Sequence, residues 1–178
     1  MLGKIALTDA PAAGAIMRPD AAEALTAPYM HYRVECCGPD GAVKWVEEFD
    51  NLVTTAGKTD IIDKYVKASA YTASWFLGLK GTGTAAVGDT LASHAGWSEV
   101  TPYSGNRPGI TWGTTASGSN TATAVTFTMN ATATVAGAFV CNAASGTSGT
   151  LYSVGDFAAS RSVGSGDTIN LTMTFSAT

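Results

Sequence analysis

Three groups of side chains in this chain are of types that can do chemistry. The first lies in Ser93-His94-Ala95-Gly96-Trp97-Ser98-Glu99, where a histidine stands close to a carboxylate. Such a pair can supply a general base. It then needs a positioned nucleophile, and no Gly-x-Ser-x-Gly elbow occurs in the chain. The simpler reading is a loop histidine bonded to a backbone carbonyl, with Trp97 plugging one end of the fold. His31 reads likewise, as a surface strand residue.

The second group is acidic: Glu47, Glu48, Asp50, Asp60 and Asp63. Paired carboxylates hydrolyse glycosides when they flank the bond. That chemistry also wants an aromatic-lined cleft, whereas these acids fall at a strand end and on a solvated helix face. Salt links with Lys58, Lys64 and Lys67 account for them more simply. Asp60 and Asp63 could also contact a cation, but their spacing is not that of a calcium loop.

The third group is Cys36, Cys37 and Cys141. An odd count with a vicinal pair argues against a disulfide framework, and a strand that points Cys36 one way points Cys37 the other. Small buried hydrophobes in a reducing compartment are the expected role; a metal would need more ligands than these and His31. Gly81-Thr82-Gly83 lacks the third glycine and following helix of a nucleotide loop. The sequons at Asn130 and Asn170 are unsurprising in so threonine-rich a chain. No catalytic residue, cofactor or metal site is expected.

Composition bounds the elements that carry these groups. The 178 residues fit one compact domain plus an arm. Charged residues make up 13% of the chain, about half the usual ~25%, and past Arg107 only Asp156, Arg161 and Asp167 carry charge. A surface that neutral is either covered by copies of the chain or a partner, or is a wet Thr/Ser-rich β surface. The net charge of −4 comes with no basic cluster, which gives no support to nucleic-acid or charge-driven membrane binding. No apolar run approaches the ~20 residues of a membrane span. Met1 to Ala10 does not read as a signal peptide, so synthesis and assembly in a cytoplasm are expected.

The pattern predicts an all-β protein: an antiparallel β-sandwich or jelly-roll-like domain with one short amphipathic helix and an extended N-terminal arm. The arm covers residues 1–28. Proline breaks it repeatedly, Asp20 can cap a helical turn over 21–25, and it has too little apolar bulk for its own core. Its Pro11, Ile16, Met17, Pro19, Leu25 and Pro28 are candidate contacts with a neighbouring subunit. The domain spans 29–178. Residues 29–49 read as a hairpin about Gly38-Pro39-Asp40-Gly41. Met30, Tyr32, Val34 and Cys36 share one face of its first strand, and Val43, Trp45 and Glu47 one face of its second. Residues 54–67 read as a helix capped by Thr54 or Thr55, with Ile61, Ile62, Tyr65 and Val66 as its apolar stripe.

Further strands are expected over 74–79, 109–114, 123–130, 132–141, 149–153 and 168–175, with a long small-residue loop over 81–94. Asn130-Ala131 is expected to turn one strand tightly into the next. Val135, Gly137, Phe139 and Cys141 are expected to alternate on one face, as are Ile169, Leu171, Met173 and Phe175. Seven or eight short strands imply a sandwich. Trp45, Trp97 and Trp112 are candidate anchors within the fold or between subunits; Trp75 is expected in the core.

One run resembles a known group. Asn51-Leu52-Val53-Thr54-Thr55-Ala56-Gly57, followed by the short helix Asp60-Ile61-Ile62-Asp63-Lys64, is similar to the Asn-Leu-Val-x-x-x-Gly segment of small tailed-bacteriophage virion proteins. The likeness continues through Leu77 to Leu91, Ser93 to Trp97, Tyr103-Ser104 and Asn106-Arg107-Pro108, and covers the chain from about Trp45 onward. It implies a non-enzymatic structural protein on the surface of the virion capsid, a decoration or cement protein. Such proteins, often trimers, bind the major capsid protein and tie neighbouring subunits together against internal DNA pressure. Similar segments occur in tail-fibre and baseplate-associated proteins, so a receptor-binding module for a host surface glycan is the alternative.

Overall fold

The computed structural model describes residues 29–71 and 74–177. The predicted arm, with Pro11, Ile16, Met17, Pro19, Asp20, Leu25 and Pro28, lies outside the described residues. The described part is an all-β sandwich of two antiparallel sheets with one short helix.

The predicted hairpin forms from β1 (Tyr29–Cys37) and β2 (Val43–Asp50). Gly38 N–H donates to the Ala42 carbonyl at 2.8 Å, Gly41 N–H donates to the Gly38 carbonyl, and Gly41 takes φ +80°. That left-handed conformation is open to glycine at no steric cost. Met30, Tyr32, Val34 and Cys36 are all buried, as the alternation requires. In β2 the inward set is Trp45, Glu47 and Phe49. A register shift between Cys36 and Cys37 moves Val43 off that face, and it is 56% exposed.

The first sheet continues from β1 to β10 (Thr168–Ser176). The far side of β10 is shared by β6 (Ser119–Thr121) and β7 (Val125–Thr128). Ile169, Leu171 and Met173 point inward and are fully buried. The second sheet runs β3-β9-β8-β4-β5, formed by β3 (Leu52–Val53), β4 (Phe76–Gly83), β5 (Trp97–Val100), β8 (Ala133–Cys141) and β9 (Leu151–Val163). The main core lies between the sheets, with Tyr32, Val34, Leu171 and Met173 from one and Leu77, Leu79, Val135 and Val140 from the other.

Several expectations are corrected. Asn130-Ala131 closes no hairpin: β7 pairs β10 in one sheet and β8 pairs β4 and β9 in the other, so the bend carries the chain across the sandwich. Residues 109–114 form no strand, and their backbone pairs with the rest of the fold through the isolated bridges Phe76↔Gly109 and Trp112↔Ala122. The strand expected over 149–153 runs on to Val163. The set Val135, Gly137, Phe139 and Cys141 does not share a face. At an irregularity β8 advances from Val135 to Gly137 while β9 advances from Arg161 to Asp156, and across this bulge the alternation of β8 changes face. Val135 joins the main core, while Phe139 and Cys141 join a second cluster with Leu91, Trp97, Leu151 and Val154. The loop after β4 contributes Leu91 to that cluster, which covers the outer face of the second sheet.

The helix departs from its prediction most. It comprises α1 (Thr55–Ile61) and a π-helical turn, Ile62–Val66. Thr54 caps it, accepting from Gly57 N–H at 3.0 Å while its hydroxyl donates to the Leu151 carbonyl. A Cβ on Gly57 would lie 2.2 Å from the Tyr152 carbonyl oxygen, so α1 packs on β9 through bare backbone. Ile61, one turn on, packs against the core. The wider π turn then rotates the next residues outward, leaving Ile62, Tyr65 and Val66 at 53%, 90% and 73% exposure.

Candidate functional site

The residues read as possible chemistry are placed by these sheets, and most have structural partners. His94 Nδ1 lies 3.0 Å from the Trp97 carbonyl oxygen, and its ring stacks on Trp97 with centroids 3.9 Å apart. Trp97 in turn packs on Phe139 and donates from Nε1 to Asp89 at 2.8 Å. It is only 6% exposed, so of the three tryptophans considered as subunit anchors this one is used up inside the fold. Glu99 is gripped by Arg107, whose Nε and Nη2 donate at 2.7 and 2.6 Å. Arg107 also holds the carbonyls of Ala143 and Gly146. His94 and Glu99 are thus committed separately.

The acidic group divides. Glu47 is buried against Arg161, Glu48 stands 3.8 Å from Arg33 and Asp50 2.9 Å from His31 Nδ1. Their partners are therefore not the helix lysines. Only Asp63 finds one, Lys67 at 2.8 Å one turn on. Asp60 has no ion-pair partner among the described residues.

The cysteines are free. Burial pushes the Cys36 thiol up to about 11, helped by the nearby Asp167 charge. Burial also raises Cys141. Both stay protonated, the unreactive form of a thiol. Among the described residues no three His, Cys, Asp or Glu side chains are placed to hold a metal, and no helix is long and apolar enough to cross a membrane.

Sequence reading missed a buried cation. Lys80 is fully buried and reaches Asp156 Oδ1 at 2.6 Å, with the Gly83 carbonyl at 2.5 Å and the Trp97 ring 5.8 Å away. Lys80 pairs across to Gly137, and Gly137 to Asp156. A Cβ on Gly137 would lie 2.0 Å from the Gly155 carbonyl oxygen, so the middle strand is bare between the two charged residues.

One concavity stands out. It holds about 390 Å³ and opens between the helix and the end of the sandwich. Aromatic side chains dominate it: Trp75, Trp112, Tyr65, Tyr71, Tyr152 and Phe175. Trp75 meets Tyr152 edge-on at 5.3 Å, and Trp112 meets Phe175 at 6.4 Å. Trp75, expected in the core, is half-buried and forms part of this wall. Asp60, Lys64, Thr115 and Asn120 supply the polar rim. The Tyr152 hydroxyl is buried without a hydrogen-bond partner among the described residues. Burial, then the Asp60 charge, pushes its pKa well above the ordinary tyrosine range. An aromatic-lined cleft with an acid on its rim was not expected from the sequence. Its members are scattered from Met30 to Phe175, and only sheet register collects them. Such a surface can hold an apolar peptide segment or the face of a sugar.

Trp45, the remaining candidate anchor, is half-buried beside Phe157 at 5.8 Å. No family model matches this chain, and no curated protein is similar enough to match it.

Proposed function

We propose that the chain is a non-enzymatic structural subunit of a bacteriophage particle, a decoration protein that self-associates and binds the major capsid protein on the capsid surface. The observation that carries this reading is the helix turned apolar side out. Ile62, Tyr65, Val66 and Tyr71 are each more than half exposed and lie close together in the chain. A contiguous exposed apolar patch marks an interaction surface. The neutral second half and the structural partners of most polar groups point the same way: the chain offers area and shape rather than reactive groups.

Full-length protein carrying Ile62→Asp and Val66→Asp tests this reading. The double variant should keep its thermal stability, since neither side chain is in the core, and should lose binding to undecorated shells. Unchanged shell binding would remove the helix face from the account.

A second reading, a tail-associated module that recognises a host glycan, is favoured by the aromatic groove with Asp60, Thr115 and Asn120 at its rim. Saturable binding of host polysaccharide, lost in Trp112→Ala, would favour it over decoration.

A further inference from the structure

We propose that the aromatic groove is the seat of the N-terminal arm of a second copy of this chain, occupied by the segment around Ile16-Met17-Arg18. The inference goes beyond the placement on a virion, because the purified chain alone tests it.

Three observations converge on this occupant. The first is where the chain leaves the described domain. β1 begins at Tyr29, and Met30, the next residue, lines the groove. The described domain therefore begins beside an apolar concavity, with 28 residues of sequence before it. The thirteen residues from Ile16 to Pro28 span about 40 Å when extended, enough to reach the same groove on an adjacent subunit. Pro28 disfavours the helical conformation at Ala27, which works against an immediate reversal into the chain's own groove.

The second is composition. Ile16-Met17 is one of the few places in the arm where two large apolar side chains adjoin, and Leu25 follows a short way on. A groove walled by Trp75, Trp112 and Phe175 suits such a pair, and methionine packs well against aromatic rings.

The third is charge. Arg18 follows the apolar pair directly, and Asp60 stands on the groove rim without an ion-pair partner among the described residues. Lys64 lies one helical turn beyond it, and Asp20 and Glu23 lie just beyond Arg18. The order of signs along the arm thus complements the order along the helix. One copy's arm in another copy's groove can be exchanged reciprocally in a dimer or passed head-to-tail, which closes into a ring where the rotation between copies allows it.

The test uses full-length protein with a photo-crosslinking residue in place of Met17, mixed by subunit exchange with isotope-labelled copies. The expected result is crosslinks joining labelled to unlabelled chains at Tyr65, Tyr71 or Trp112. Arg18→Asp should weaken the oligomer by about tenfold or more, and adding Asp60→Arg in the same chain should restore it. Crosslinks confined within single chains, crosslinks away from the groove, or an oligomer indifferent to Arg18→Asp would each overturn the proposal. An unmutated chain that makes the arm contact yet fails to bind undecorated shells would instead count against the decoration reading alone.

Discussion

Gly57 and the carbonyl of Tyr152 are so close that a single methyl group at position 57 would come within 2.2 Å of the Tyr152 oxygen. The same short stretch supplies Thr54, which caps α1 and bonds the Leu151 carbonyl, and Asn51, whose Oδ1 accepts from Met30 N–H at 2.8 Å. The Asn-Leu-Val-x-x-x-Gly run is therefore a joint that fixes β1, β3 and the helix to β9. Backbone cannot yield as a flexible side chain can, so Gly57→Ala should destabilise the fold by about 2–3 kcal/mol. Denaturant unfolding checks this, and a loss below about 0.5 kcal/mol, the ordinary scale of a neutral surface change, would contradict the close packing.

Lys80 and Asp156 form an unequal pair. The ammonium is fully buried, whereas the carboxylate side chain is 42% exposed. Removing the acid leaves a buried charge with only carbonyls and a ring for company, while removing the lysine leaves a carboxylate that water can reach. Asp156→Ala should therefore cost about 1–3 kcal/mol and Lys80→Met distinctly less. Equal losses, or the reverse order, in paired unfolding experiments would show that the ion pair is not organised in this way.

Asp167 carries a pH signature. The ammonium of Lys44, 2.6 Å away, and then the Gly164 N–H hold its carboxyl below the usual carboxylate range. A depressed folded pKa means that this stabilisation is present above the unfolded value of about 4 and is lost as pH falls through the folded value. Lys44 is raised by the same contact, so its share is present below the ordinary lysine range and lost at higher alkaline pH. Asp167→Asn should flatten the acid limb of stability against pH. A limb of unchanged steepness would assign the acid sensitivity elsewhere.

Deleting residues 1–28 should leave the sandwich folded, because the core residues identified all lie between Met30 and Met173. The truncated chain should attach to shells more weakly and run as a smaller oligomer in light scattering. Undiminished attachment would deny the arm its role.

How much of this was legible in the sequence depended on how local the cause was. The hairpin was, because turn chemistry at Gly38 to Gly41 and strict alternation in β1 lie within a few residues of one another. So was β10. The long β9 was not: Gly155-Asp156 and the polar run Ala158 to Ser162 look like a loop, yet the strand runs through them, paired with β8 at Gly155 and Asp156 and again at Arg161 and Ser162. The shift near Gly137 also left no local mark. The helix misled because Ile61, Ile62, Tyr65 and Val66 have helical spacing, while the contact that orients the helix is made by a glycine, invisible to any count of apolar side chains. The groove was the least legible feature, since its aromatic residues come from distant segments and meet only through the fold.

The central claim is that this chain is a structural component present over the whole capsid surface. Its copy number relative to the major capsid protein, measured by quantitative mass spectrometry of purified particles, tests that claim most directly. The account predicts a fixed ratio of the same order as the capsid protein itself. A handful of copies per particle would contradict it and place the chain in the tail.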